Sequence, residues 1–434
     1  MRRKGRIVRN EKGIVLVIAL MLLMVVMLLG TTAVFTTTTD LKISGNYGVN
    51  RQAFSLAEAG LEHGKIECVK RYQNNGWGDF TPLLNGSDTT AVAGLTFGSV
   101  RNFSGGTYTV TVSNDSEDSG EATIDTNGTV TITSIGRFKN GASTVRATIV
   151  MNELPPIPGA INLVGEAEGH FNDNAFLIEG WDCNLDGTPA NPDKPLDGAR
   201  YGISVCDVTS PVWGEDDAAA KGNLINALSA QQREHVQGKD YAVGDPVIPS
   251  VGVTGDLTKK KMNDFVNLVK ICADNTVINP DELKNDAVSA AGNIVTIGSQ
   301  SFSLGTISDP KTTYIDMTMH APGSEDAVWT ISGNITGAGL LLINGADILL
   351  KSSIEWNGLI VVYGDKVGCE FRGGGANTQS VTGGIIICET GMDKGSPELY
   401  ITGNPSVRYS PAGVDLVKAV LQKNRPYTVL SWVN

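Results

Sequence analysis

The chain has 434 residues, 18% of them charged, and a formal net charge of −12. Such acidity excludes a basic groove for polyphosphate as its main surface, so no nucleic acid partner is expected. The length exceeds that of one ordinary domain, and 51 glycines with only 6% aromatic residues point to a body rich in strands and turns.

Ile14 to Phe35 reads IVLVIALMLLMVVMLLGTTAVF and carries no charge. A helix of about 20 apolar residues crosses a hydrocarbon core of about 30 Å. Arg2, Arg3, Lys4, Arg6, Arg9 and Lys12 stand before it against a single Glu11, which keeps residues 1–13 cytoplasmic and places the rest outside. Three readings fit: a secretory signal cut near Gly30 to Ala33, a plain signal anchor, or the first part of a longer helix. The third has further support, because Ala53, Phe54, Ala57, Gly60 and Leu61 follow at spacings of three and four. The small residues Gly30, Ala33, Ala53, Ala57 and Gly60 are expected to let neighbouring helices approach closely.

Lys12-Gly13 before the apolar run, then Thr36 to Leu41, Ser44-Gly45-Asn46 and RQAFSLAEAGLE over residues 51–62, resemble the amino-terminal domain of PilX-type minor pilins of type IV pili, over about residues 9–65. The resemblance implies processing by a prepilin peptidase after Gly13, with Ile14 as the mature, often methylated, amino terminus. It implies other pilins and minor pilins, and the inner-membrane pilus assembly machinery, as partners. A single-pass inner-membrane form would precede a pilus-bound, extracellular one. One departure is Ile18, the fifth mature residue, where major pilins carry glutamate; this argues against a major subunit. Removing residues 1–13 takes away a formal +5 and leaves about −17.

Residues 107–113 and 128–134 alternate with period two, and 143–151 continue the pattern, so an antiparallel sheet is expected on the amphipathic part of the helix. Turns are expected at Asn114 to Gly120 and Asn127-Gly128. Leu154-Pro-Pro-Ile-Pro158 marks a domain boundary. Helix and loop follow to residue 291. Helices are expected after Glu215-Asp-Asp, from Asp256 to Cys272, and after the cap Asn279-Pro280-Asp281-Glu282, all in an insertion lying on the sheet.

Within that insertion Asp182-Cys-Asn184-Leu-Asp186-Gly187-Thr188, with Asp193 at the twelfth position, fits the start of a calcium loop. Alternating oxygen donors and a glycine turn suit a hard cation, so Asp182, Asn184, Asp186, Thr188 and Asp193 are the candidate ligands for calcium. Pro189 and Pro192 oppose a following helix, and crowded Asp and Asn equally suit a plain solvated turn.

From Ile294 to Tyr409 one phrase occurs three times, as Gly339-LLLIN-Gly345, Gly358-LIVVY-Gly364 and Gly384-IIICET-Gly391, spaced 19 and 26 residues apart. Continuous apolar runs at spacings near 20 predict stacked coils, a short parallel β-solenoid, with a β-sandwich as the alternative. Asn344 and Asn357 are expected to cap coils. Pro411 opens a helix expected to cover an open end through Val417, Val420 and Leu421, and Tyr427 to Val433 reads as a last strand closing an edge.

Six cysteines suit an oxidising compartment; proximity favours Cys183 with Cys206 and Cys369 with Cys388, and free buried thiols are the alternative. No motif for a nucleophile, a zinc helix or a phosphate loop occurs around His63, His170, His235 and His320 or elsewhere. Asp347, Glu355, Asp365 and Glu370 are the carboxylates an enzyme on a β-helix would use, but no enzyme is expected. The fold class is therefore α+β: a leader (1–13), a transmembrane and amphipathic helix (14–72), an antiparallel β head (73–156), a mixed insertion (157–291), a β-solenoid (292–409), and a capping helix with a final strand (410–434). The function expected is that of a minor pilin whose acidic head serves initiation, adhesion or aggregation. The alternative is a membrane-anchored adhesin, binding a surface or glycan receptor, that never polymerises.

Overall fold

The computed structural model describes residues 11–74, 80–88, 95–115, 122–125, 127–191, 200–210, 215–278, 288–297, 300–319, 328–331, 333–373, 378–391, 398–424 and 427–433. The expected cap at Asn279 to Glu282 lies outside these residues. The chain divides into two units, Met1–Met151 with Tyr427–Asn434, and Asn152–Pro426.

In the first unit helix α1 (Glu11–Asn74) runs unbroken through the apolar and amphipathic stretches. Strands β1 (Val100–Phe103), β2 (Gly106–Asn114), β3 (Thr129–Phe138) and β4 (Gly141–Met151) form an antiparallel meander beside it. Alternation dictates which face is buried: Val110, Val130, Ile132, Val145, Ala147 and Ile149 meet Ala57, Leu61 and Tyr72 of α1. The carboxy-terminal strand Tyr427–Val433 pairs antiparallel with β4. It therefore completes this sheet instead of closing the 292–409 region, because Met151 and Val150 offer a free edge in register with Tyr427 and Thr428.

The second unit uses parallel pairing. Its principal strands are β5 (Gly159–Val164), β6 (Gly169–Phe171), β7 (Leu177–Glu179), β8 (Tyr201–Cys206), β9 (Val251–Val253), β10 (Asp309–Asp316), β11 (Val328–Ile331), β12 (Asn334–Asn344), β13 (Asp347–Leu350), β14 (Ile354–Gly364), β15 (Cys369–Arg372), β16 (Gln379–Glu389), β17 (Leu399–Thr402) and β18 (Ser406–Tyr409). One sheet stacks β10, β12, β14, β16, β5, β8 and β9 in parallel, and a second stacks β11, β13, β15, β17 and β6. A sandwich of antiparallel strands is not what these residues build.

The expected insertion is part of this stack. Ile161 to Val164 pair with Ile385 to Cys388, so residue 159 onward adds rungs beyond the last repeat. The reason is in the sequence: AINLV and ISVC are continuous apolar runs like those of the repeat, and every residue of β5 is buried. Buried Asn162 is fully satisfied, accepting from the Gly159 N–H and Ser204 hydroxyl and donating to the Gly159 and Ile385 carbonyls, each within 2.9 Å.

Register also corrects the repeat. Gly339, Gly358 and Gly383 are mutual partners, so the third phrase begins one residue before Gly384. All three have left-handed φ, +114°, +134° and +142°. A Cβ on Gly358 would lie 2.0 Å from the Gly339 carbonyl oxygen, and one on Gly383 would lie 2.1 Å from that of Gly358. Each long strand turns a corner at this column, where only glycine fits.

Helices α2 (Asp217–Ala227) and α3 (Lys259–Cys272) form where the sequence places them, with Asp216 and Thr258 as caps accepting from the N–H groups of Ala219 and Lys261. Helix α4 (Pro411–Asn424) lies across β10, β12, β14 and β16, not over an end of the stack. Its Val417, Val420 and Leu421 cover the outer face of strands that are apolar on both sides. All six cysteines are buried free thiols, so neither expected disulfide is present. Cys369 belongs to the second parallel sheet and Cys388 to the first, while the Cys183 thiol donates to the Tyr409 carbonyl, 3.0 Å away.

Candidate functional site

The surface of α1 changes along its length. Every residue from Ile14 to Phe35 is exposed, with Ile14 at 63% and Val34 at 67%, and Ile18 is among them. The threonines are reconciled with an apolar segment by back-bonding: the hydroxyls of Thr32, Thr36, Thr37, Thr38 and Thr39 donate to carbonyls four residues earlier at 2.7–3.0 Å. This helix is long and apolar enough to cross a membrane. Gly13 lies in the first turn of this helix and Ile14 is exposed; of residues 1–13 only 11–13 are described.

From Ala53 onward the helix turns inward. Ala53 and Ala57 are fully buried, a Cβ on Gly60 would lie 2.3 Å from the Ser134 hydroxyl, and one on Gly136 would lie 2.1 Å from the Ala53 carbonyl oxygen. Ala53, Ala57 and Gly60 therefore bring α1 against its own sheet, not against a neighbouring helix. Gly30 and Ala33 stay exposed, and nothing lies within 4 Å of where a Gly30 Cβ would stand. Periodicity located the apolar face of this stretch; it could not say whose surface that face would meet.

The proposed cation loop folds on itself. The Asn184 N–H donates to the Thr188 carbonyl at 2.8 Å, and both the N–H and the hydroxyl of Thr188 donate to Asp186 Oδ1, at 2.9 and 2.6 Å. Asn184 Nδ2 donates to the Thr188 hydroxyl at 3.0 Å, and Gly187 supplies the turn with φ +76°. These bonds hold the Asp186 carboxyl below its usual range. Asp182 is pushed up by burial, against the pull of the Arg200 charge. Asn184, Asp186 and Thr188 are thus brought together, Asp182 lies toward Arg200, and Asp193 is outside the described residues. Among the described residues no group of three or more His, Cys, Asp or Glu is placed to hold a metal ion.

Acidic residues instead gather where the two parallel sheets meet, around a cavity of about 280 Å³ lined by Asp347, Lys366, Arg372, Glu389, Glu398 and Tyr400 among others. Asp347 accepts from the Gly368 N–H at 2.7 Å, Glu398 from the Glu168 N–H, and Glu389 from the N–H groups of Val367 and Gly391 at 2.9 and 2.6 Å. Asp347 opens β13, and Gly368, Glu398 and Glu168 immediately precede β15, β17 and β6 of the same stack, so a carboxyl of one rung secures the backbone of the next. Burial pushes Asp347 up to about 6 and Glu398 to about 8, against the stabilising N–H bonds, and raises Glu389 as well. Glu370 pairs with Arg372, and Glu355 is exposed.

Sequence reading named Asp347 and Glu370 but missed Glu389 and Glu398, since their place depends on loop lengths between rungs. Of the asparagines expected to cap coils, Asn344 donates to the Tyr314 hydroxyl at 3.0 Å, while the buried Asn357 Oδ1 has no hydrogen-bond partner among the described residues. The histidines are scattered: His63 bonds the Tyr108 hydroxyl at 2.8 Å, His170 stacks on Tyr400, His235 lies beside Phe176, and His320 is outside the described residues.

Helix α1 is thus exposed and apolar from Ile14 to Phe35, and seated on an antiparallel sheet from Ala53 onward. Residues 12–62 match the family described as PilX N-terminal, and the chain is type IV pilin-like in carrying this domain. Among solved structures, the competence-associated pilin ComZ from Thermus thermophilus is similar at 14% identity and a TM-score of 0.27, covering 89% of this chain and 97% of that one. A likeness at that score carries no argument about fold or role. No curated protein matches the chain.

Proposed function

We propose that this chain is a minor subunit of a type IV pilus, cut between Gly13 and Ile14 by a prepilin peptidase and assembled through α1 with other pilins by the inner-membrane machinery. The observation that carries the reading is the change along α1: side chains from Ile14 to Phe35 have no cover in their own fold, whereas from Ala53 to Tyr72 one face of the helix is buried. An uncovered apolar rod suits lipid before assembly and other such helices after it. The acidic head then stands outside the cell, and its stacked parallel strands, turning at the Gly339–Gly358–Gly383 column, serve as a short β-solenoid that presents a surface for initiation, adhesion or aggregation.

Mass spectrometry of the mature chain and of sheared fibres tests this. The expected result is an amino terminus at Ile14, with the chain in the fibre fraction or bound to the assembly platform. A chain that keeps residues 1–13 and stays in the membrane fraction alone would instead be a monomeric anchored adhesin. We further propose that the Asp182–Thr188 loop takes calcium with Asp193 as a stiffening ion. Equilibrium dialysis should then show one bound calcium that is lost in Asp182→Ala, and equal binding by the variant removes the proposal.

A further inference from the structure

Within the second unit a cavity of about 390 Å³ opens between the proline segment at residues 155–158, strand β9 and the start of α4. Its polar lining is unlike the rest of this acidic chain: Arg200, Lys239 and Lys418 face one carboxylate, Asp256. Lys418 is engaged elsewhere, 3.4 Å from Asp415 and acting on the Glu153 carboxyl. Arg200 and Lys239 are not. Both are exposed, and among the described residues neither forms a direct ion pair; Arg200 acts on Asp182 only at longer range.

These two cations are held in place. The Lys239 N–H donates to the Arg200 carbonyl at 2.8 Å, and the Arg200 N–H donates to that of Gly180 at 2.8 Å. Glycines make the crowding possible: a Cβ on Gly180 would lie 2.1 Å from the Arg200 carbonyl oxygen, and one on Gly238, at φ +143°, would lie 2.5 Å from it. The Arg200 guanidinium then lies over the ring of Tyr409 at 5.6 Å and the Lys239 ammonium over Tyr201 at 4.9 Å. The Tyr201 ring rests on Gly252, whose Cβ would be 2.1 Å from it. Long cationic side chains ordinarily lose much freedom on binding; here rings and backbone fix them beforehand.

We infer that this cavity is a binding site for a carboxylated sugar unit of an acidic polysaccharide, with Arg200 and Lys239 as the carboxylate receptors. A guanidinium fork matches a carboxylate in two parallel hydrogen bonds, and a neighbouring ammonium adds a point charge. The volume suits one or two pyranose rings. Proline rings, tyrosine edges and the Thr254 hydroxyl line the remainder, a wall for a stiff, hydroxyl-bearing ring. Asp256 disfavours a denser polyanion by repulsion.

Titration calorimetry on the full chain in detergent micelles, with a galacturonate trimer and its methyl ester as probes, tests the site. Expected is saturable binding of the acid, at least tenfold weaker binding of the neutral ester, and a tenfold or greater loss in either Arg200→Gln or Lys239→Gln at unchanged melting temperature. Lys239→Gln, altering an exposed side chain, serves if the Arg200 variant does not fold. Equal binding of acid and ester, unchanged affinity in both variants, or a glutamate hexapeptide binding as tightly as the trimer each overturns the assignment. The measurement is independent of polymerisation, so its failure leaves the pilin reading untouched, and the reverse.

Discussion

The two units bury their backbones by opposite means. In the antiparallel unit each strand has one apolar face, and a single helix covers it; close approach is secured by Gly60 and Gly136 where helix meets sheet. In the parallel unit the strands are apolar on both faces, neighbouring rungs repeat in register, and close approach falls at the Gly339–Gly358–Gly383 column where each strand bends. One arrangement tolerates variation along the strand direction, because alternation alone sets the buried face. The other depends on residues of the same size recurring at the same rung position, so a single misfit is felt by the rungs above and below.

That contrast can be broken in order of expected effect. Gly358→Val should be the most damaging change, since the added atoms meet backbone on the next rung and the φ of +134° disfavours any side chain. A loss of about 3–5 kcal/mol is expected, read as an earlier unfolding transition of the parallel unit by calorimetry. Gly60→Val should cost the antiparallel unit about 2–4 kcal/mol through clashes with Ser134 and the Tyr108 ring, while leaving the other transition in place.

Titration gives the third test. Glu398 has an ordinary value of 4.5 and is raised to about 8 in the fold, so between those limits the folded state holds more protons than the unfolded one. Stability of the parallel unit should therefore fall as pH rises from about 5 to 8, approaching a slope of about 1.4 kcal/mol per pH unit per proton. Glu398→Gln keeps an acceptor for the Glu168 N–H and should flatten the urea-midpoint profile over that range. The smallest effect belongs to Gly30→Ala: with no neighbour within 4 Å in the fold, it should leave both transitions unmoved and at most alter incorporation into sheared fibres.

Much of the fold was legible. The apolar run, the amphipathic continuation, the alternation in residues 107–151 and the threefold glycine phrase correspond to α1, to β2–β4 and to β12, β14 and β16. What was not legible depended on partners distant in sequence. Ala160 to Val164 resembles any short buried run, and only pairing with Ile385 to Cys388 shows it as another rung. Tyr427 to Val433 reads as a strand, yet its partner is β4 and its Leu430 and Trp432 remain exposed. The candidate sites divide in the same way. The Asp182 loop stood out by local spacing, whereas Arg200, Lys239, Tyr201 and Tyr409 share no local pattern.

Sequence alone determined the elements governed by local chemistry: a charge-free helix preceded by basic residues, period-two strands and the recurring apolar phrase between glycines, because each follows from the residue's own neighbours along the chain. Tertiary structure alone decided that the small residues of α1 serve its own sheet, that six thiols stay unpaired, that buried carboxyls secure successive rungs, and that two cations converge over two tyrosine rings. Those outcomes rest on distances between residues tens to hundreds of positions apart, which depend on register and loop length and not on the identity of any one residue.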